Sequence, residues 1–316
     1  MPGALYDVFS ILVFPGMLFL MVFGLAAEYI DRKLYARLQN RIGPPWFQPL
    51  ADFIKLASKE EILPEEAGKT VFRLMPVMAF TATVTAFLYI PLWSLDAPFA
   101  FDGDLVVVLY LLTVPTLTFF LAGWYSGSTY AMLGAARTIT QLFAYEVPLF
   151  LAVLAPALLA GTWSLSGVAA YYQAHPWHSL FNMIGFGVAL VALLGKLEKV
   201  PFDIPEAETE IVAGSFTEYS GRLLAMFRIA LDVEMIVGAT LLAALFIPFG
   251  MSENWAVGFA IYVVKVLGIV AALSVLRTVF ARLRIDQMIT FCWQVVAPLA
   301  FAQIVINLIV KGILNR

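Results

Sequence analysis

Runs of apolar residues long enough to cross a bilayer recur along this chain and leave few alternatives to a membrane protein. A membrane-spanning helix needs ~20 mostly apolar residues. Residues 8–27, 74–93, 105–124, 142–160, 255–276 and 289–310 meet that length. Two further stretches are less regular. Residues 180–197 run short before reaching Lys196, and residues 223–249 carry Arg228, Asp232 and Glu234 in their first half. Backbone groups in lipid must bond within their own segment, so spans of this kind are helices. The expected fold class is all-α: a polytopic membrane protein of about eight transmembrane helices. The composition agrees, since 62% of the 316 residues are hydrophobic and only 13% charged, well outside the range of soluble domains.

The apolar pattern breaks most sharply at residues 196–222, which read KLEKVPFDIPEAETEIVAGSFTEYSGR. Glu198, Asp203, Glu206, Glu208, Glu210 and Glu218 fall here, against Lys196, Lys199 and Arg222. Carboxylates between membrane-length runs must face water or find partners, because an unpaired buried charge is expensive. Pro205 suits the first turn of a helix with Asp203 as its cap, and such a helix would put Glu206 and Glu210 on one face. Clustered acids at a membrane boundary repel one another and lose solvent, which couples their titrations and suits them to passing a proton. The alternative is a solvated helix start that gains from the helix dipole.

Basic residues are sorted by side. With both termini outside the cell membrane, the inner loops and the span ends beside them hold all of the 19 Lys and Arg except Lys265, inside a span, and Lys311 and Arg316, at the chain end. Such sorting is the positive-inside pattern. The first inner loop, residues 28–73, turns at Gly43-Pro44-Pro45. After Pro49, Leu50, Phe53, Ile54 and Ala57 recur at helical spacing, which predicts an amphipathic helix on the membrane surface. A connecting helix packed on protein fits that pattern equally. No linker or repeat divides the chain, so one integral membrane domain over 1–316 is expected. The residues before Val8 include no Lys or Arg, so the first run reads as a retained helix and not a signal peptide.

Several chemistries are excluded. One cysteine, Cys292, cannot hold an iron–sulfur cluster or a structural zinc by itself. No phosphate-binding loop or dinucleotide fingerprint is present, and no basic patch with interleaved aromatics suggests nucleic acid. Any redox cofactor therefore belongs to another subunit. His175 and His178 read as surface residues of an outer loop. Charges inside the spans remain: Glu146, Asp232, Glu234 and Lys265. Intramembrane ionisable residues line polar paths or pair with each other, so these four join the candidates for an ion or proton path.

Taken together, the motifs are familiar. The segment GKLEKVPFDIPEAETEIVAGSFTEYSG closely resembles the signature loop of the H subunit (subunit 1) of complex I, the proton-pumping NADH:quinone oxidoreductase. The runs DRKLYARLQNRIGPPWFQPLADFIKLASKEEILP, GAARTITQLFAYEVP and RTVFARLRIDQMITFCWQVVAPLA resemble that family's first inner loop, its third-to-fourth-span motif, and its last inner loop and span. The family includes subunits of membrane-bound [NiFe] hydrogenases. Two departures stand out. RIGPPWFQPLAD is shorter than the quinone enzymes' segment, and the family's acid early in the sixth span falls on Leu231, beside Asp232. The shortened loop resembles the hydrogenase-type branch. The resemblance implies a membrane anchor and ion-coupling subunit, with peripheral iron–sulfur and [NiFe]-hydrogenase-like subunits and antiporter-like membrane subunits as partners. It implies that this chain itself holds no cofactor. The channel acids would be Glu146, Asp203, Glu206, Glu208, Glu210 and Glu218. Arg37, Arg41, Gln48, Asp52 and Lys55 match the first-loop motif facing the redox arm or a quinone-like chamber, and Arg137 matches the second. A quinone-reducing subunit, a free-standing transporter and a purely structural anchor are the competing readings.

Overall fold

Proline and glycine punctuate the first apolar run. At Phe14-Pro15-Gly16 the helix breaks, and a Cβ on Gly16 would lie 2.0 Å from the Ile11 carbonyl oxygen. The break separates α1 (Pro2–Leu12) from α2 (Met17–Leu38). The surface helix α3 (Gln48–Ala57) follows, with proline at its first turn. Then come α4 (Lys69–Phe87), α5 (Asp104–Trp124), α6 (Thr129–Ala160), α7 (Leu165–Ala174) and α8 (Met183–Lys196). After a one-turn α9 (Glu208–Ile211), α10 (Gly221–Phe246) and α11 (Trp255–Val279) lead to the last span. There a π-helical turn, Cys292–Val296, separates α12 (Ile285–Phe291) from α13 (Ala297–Leu314). The computed structural model describes residues 2–95, 97–251 and 254–314, without the side chains of residues 2–5, 208 and 209. Among the described residues all regular structure is helical, and 8 helical stretches are long and apolar enough to cross a membrane.

The less regular sixth span is the centre of the bundle. Every residue of α10 from Val233 to Phe246 is buried. A helix apolar on all sides has to be surrounded, and α10 packs against α2, α3, α4, α8 and α11. One hydrophobic core runs from Leu20 on α2 to Ala300 on α13. Burying α10 carries Glu234 to zero exposure, so the fold must supply that carboxylate with a partner.

Three local expectations are corrected. The helix that carries the first span does not stop with the apolar run at residue 27. It continues to Leu38, so Glu28, Asp31 and Arg32 are helical and not loop residues. Pro205 does not start a helix with Asp203 as its cap. The chain turns there, and the segment holds only a one-turn α-helix, Glu208–Ile211, behind Ala207 with φ of +25°, and a 3-10 turn at Gly214–Phe216. Gly214, at φ +54°, packs so closely that a Cβ would meet the Pro205 carbonyl oxygen at 1.8 Å, so the segment folds back on itself instead of extending as a helix. The apolar stripe of α3 also divides. Phe53 and Ala57 turn partly inward, while Leu50 and Ile54 stay exposed.

Candidate functional site

Where α2 overruns its apolar stretch, its last turns carry Glu28, Asp31 and Arg32 to one end of the bundle. There α2, α3, residues 197–207, the start of α10 and the end of α11 enclose a cavity of about 680 Å³. Its walls are charged. Glu28, Asp52, Glu198, Asp203, Glu206 and Asp232 face Arg32, Lys199, Arg228, Arg277 and Arg282.

The cations are tied down individually. Asp31 is 1% exposed and accepts from Lys199 Nζ at 2.6 Å, Ser274 Oγ at 2.6 Å and Arg277 at 3.0 Å. Glu28 accepts from Arg32 Nε at 2.7 Å and Lys199 Nζ at 3.2 Å. Burial opposes the charge on Lys199, but Glu28 and Asp31 outweigh it and hold the ammonium above its ordinary pKa. Arg32 also donates to Asp52 at 3.0 Å, as does Gln48 at 2.8 Å, which fastens α3 to α2. Around the rim, Glu206 pairs with Arg228 at 2.7 Å and Asp203 with Arg282 at 3.1 Å. Glu210 pairs with Arg137 at 2.7 Å, and that hydrogen bond and charge hold its carboxyl below the usual range.

Deeper in the bundle lies a second cluster. Lys196, the last residue of α8, extends its ammonium to Glu234 Oε1 at 2.9 Å, with both side chains at most 2% exposed. It also donates to the Leu112 carbonyl of α5. The Tyr145 ring lies 6.0 Å from the ammonium, and its hydroxyl pairs with Thr116 at 2.9 Å. Glu146, half-buried on α6, feels the Lys196 charge.

Of the residues singled out from the sequence, the fold brings Gln48, Asp52, Lys55, Asp203, Glu206 and Asp232 to the cavity or its wall, and sets Glu146 and Glu234 around Lys196. Glu206 and Glu210 do not share a face, since they reach different arginines. Glu218 is elsewhere, in a shallow hollow with Glu65, Glu66 and Ser128. Lys265 is not among the residues that line the cavity. It donates to the Ile247 and Phe249 carbonyls at 3.1 Å each, closing the far end of α10. Arg37 and Arg41 are exposed, and the side chain of Glu208 lies outside the described residues. Glu28 and Asp31 are not singled out by the sequence, and Lys196, Glu198 and Lys199 stand in the acidic segment without a place among the candidate site residues. The signal for the first two was present: EYIDRK continues the helical spacing past residue 27.

Known proteins with this sequence pattern agree in kind. The NADH dehydrogenase family matches residues 10–308. The chain is 33% identical to the H subunit of the NADH-quinone oxidoreductase of Carboxydothermus hydrogenoformans, over 95% of this chain and 89% of that one. It is 36% identical to the corresponding H subunit of Dehalococcoides mccartyi strain 195, over 92% and 83%. A chain in the structure of the membrane-bound sulfane sulfur reductase, an archaeal respiratory membrane complex, superposes with a TM-score of 0.84 at 26% identity, over 97% of this chain and 100% of that one.

Proposed function

This chain belongs to the family of the H subunit of NADH-quinone oxidoreductase, as a membrane subunit of a complex I-like respiratory oxidoreductase, and from that premise we propose that it converts electron transfer in a docked peripheral arm into ion movement across the membrane. The observation that carries this reading is the sequence of charge clusters: an acid-and-base cavity at one end of the bundle, then a sealed Lys196–Glu234 pair, then Glu146 on α6. The sorting of the cations to the cavity end supports a cytoplasmic cavity with both termini outside. Iron–sulfur clusters, and [NiFe] in a hydrogenase-type complex, sit in partner subunits. Antiporter-like membrane subunits continue the path from Glu146.

The magnitudes suit coupling. One unit charge arriving ~10 Å from a buried group, at an effective dielectric constant of ~20, changes its ionisation by about 1.7 kcal/mol. That is more than tenfold in an equilibrium constant, enough to redistribute protons along a file of closely matched acids.

The short loop before α3 and the likeness to the sulfane sulfur reductase chain favour the hydrogenase-type branch. The names of the relatives favour a second reading, in which the cavity receives a quinone. The purified complex separates them. Hydrogen evolution from reduced ferredoxin is expected, whereas inhibitor-sensitive quinone reduction without hydrogen chemistry establishes the second reading. In vesicles, Glu234→Gln should abolish ion uptake and leave uncoupled electron transfer intact. Normal uptake in that variant would refute the coupling role.

A further inference from the structure

One side chain lies between the charged cavity and the sealed pair. Lys196 bonds to α10 and α5, inside the bundle. Glu198, two residues on, lines the cavity. It is 7% exposed, and among the described residues its buried Oε1 has no hydrogen-bond partner. Its φ of +51° lies in the left-handed region that residues with a Cβ seldom occupy. Strain of this kind persists only where the surroundings enforce it, and it gathers at working sites. The groups acting on Glu198 come from every side: Tyr145 of α6, Lys196 of α8, Glu206 of the loop, and Arg228 and Glu234 of α10.

We propose that Glu198 takes protons from the cavity and passes them to Glu234, and that each transfer releases Lys196 toward Glu146. This rests on the coupling role argued above and adds to it a named junction. Burial pushes the Glu198 carboxyl up to about 8, with Glu206 and Glu234 adding to the rise and Arg228 and Lys196 opposing it. At neutral pH the group is therefore mostly protonated. A neutral acid needs no counter-cation, which accounts for a buried carboxyl with an unbonded oxygen in a site rich in arginine. When its proton moves to Glu234, Glu198 becomes the anion and Glu234 becomes neutral, so the total charge is unchanged. Lys196 has then lost its carboxylate partner and is free to turn to Glu146 of α6, on which it already acts. Glu234 then gives its proton to Glu146 and recovers Lys196, a proton from the cavity restores Glu198, and the cycle is complete.

The same ionisation has a sign for stability. The native state keeps a proton that the unfolded chain releases near 4.5. Folding therefore binds a proton between pH 4.5 and about 8, and stability falls as pH rises through that window. Below it both states are protonated and the contribution vanishes.

The test uses the whole complex in vesicles, with Glu198→Gln and Glu198→Asp. Infrared titration of the wild type should show a protonated-carboxyl band lost between roughly pH 7 and 9, absent in the Gln variant and displaced in the Asp variant. Ion uptake should fall about a hundredfold in the Gln variant, the scale of loss of a positioned acid–base group, while uncoupled electron transfer continues. The Asp variant should retain uptake with a displaced pH profile. If the Gln variant keeps both the band and its uptake, Glu198 is a structural residue and the proposal fails. Should the Gln chain not assemble, the Asp variant decides, and an unmoved pH profile overturns the proposal. Loss of uptake in Glu234→Gln alongside a normal Glu198→Gln would remove only the junction. Normal uptake in both would remove the coupling role as well.

Discussion

Lys196 and Glu234 show how a residue can be visible in a sequence while its meaning is not. Glu234 stands out because a carboxylate within a span is costly. Lys196 reads as one more cation at the end of a span, sorted with the others to the inner side. Nothing local joins them, and neither do the long separations that build the Asp31 cluster, where Lys199 and Arg277 stand 168 and 246 residues away. Desolvating two ions costs several kcal/mol each and is repaid only by good geometry, so such a pair is a poor device for stability alone. Removing one partner is another matter, since it strands the other. Lys196→Met should destabilise the assembled protein by about 3–5 kcal/mol, and adding Glu234→Gln should recover most of that. Thermal dissociation midpoints across the four-member mutant cycle measure the coupling directly. A double variant whose loss equals the sum of the two single losses would mean that the two residues are not energetically linked.

At the scale of elements, the pattern of apolar residues is legible where burial alone sets it and misleading where partners do. The eight stretches follow from length and hydropathy. The end of the first helix does not, because α2 runs eleven residues past residue 27, to Leu38, stabilised by contacts of Glu28, Asp31 and Arg32 with loops distant in sequence. The polar residues of the final span are equally opaque. Gln303 and Asn307 look like mild interruptions of an apolar run, yet both are fully buried. Asn307 donates to the Ala155 carbonyl and to Asn182 Oδ1 at 2.7 Å each, and Asn182 donates to the Tyr172 hydroxyl at 2.8 Å. Tyr172 in turn donates to the Pro156 carbonyl, so the proline-bearing end of α6 is stitched to α7, to the residue before α8 and to α13. A complete network of this kind specifies one packing arrangement. Asn307→Leu leaves several of its members without partners and should cost about 1–3 kcal/mol. The loss is expected as lower heat resistance and faster proteolysis near α7, with unchanged activity in the surviving fraction. An unchanged melting profile would show that water or lipid replaces the network.

For the molecule as a whole, the three cations that break the sorting are informative. Arg316 lies outside the described residues. The other two do the same job at the end of the bundle away from the cavity. Lys265 donates to the carbonyls just beyond α10, and Lys311 donates to the Leu158 carbonyl at 2.7 Å, in the last turn of α6. Carbonyls at helix C-termini have no intrahelical donor and carry the negative end of the helix dipole, which favours a lysine there. Both exceptions therefore have a local structural cause, and the remaining basic residues retain their value as an orientation signal. The expected topology puts Ser58, exposed after α3, on the cytoplasmic side and Trp177, 78% exposed between α7 and α8, on the other. In a Cys292→Ala background, Trp177→Cys should react with a membrane-impermeant maleimide in intact cells, and Ser58→Cys only after permeabilisation. The reverse pattern would place the charged cavity on the outer face, away from any cytoplasmic electron donor. No peripheral arm could then act on Glu198 or the Lys196–Glu234 pair, so the orientation and the coupling role stand or fall together.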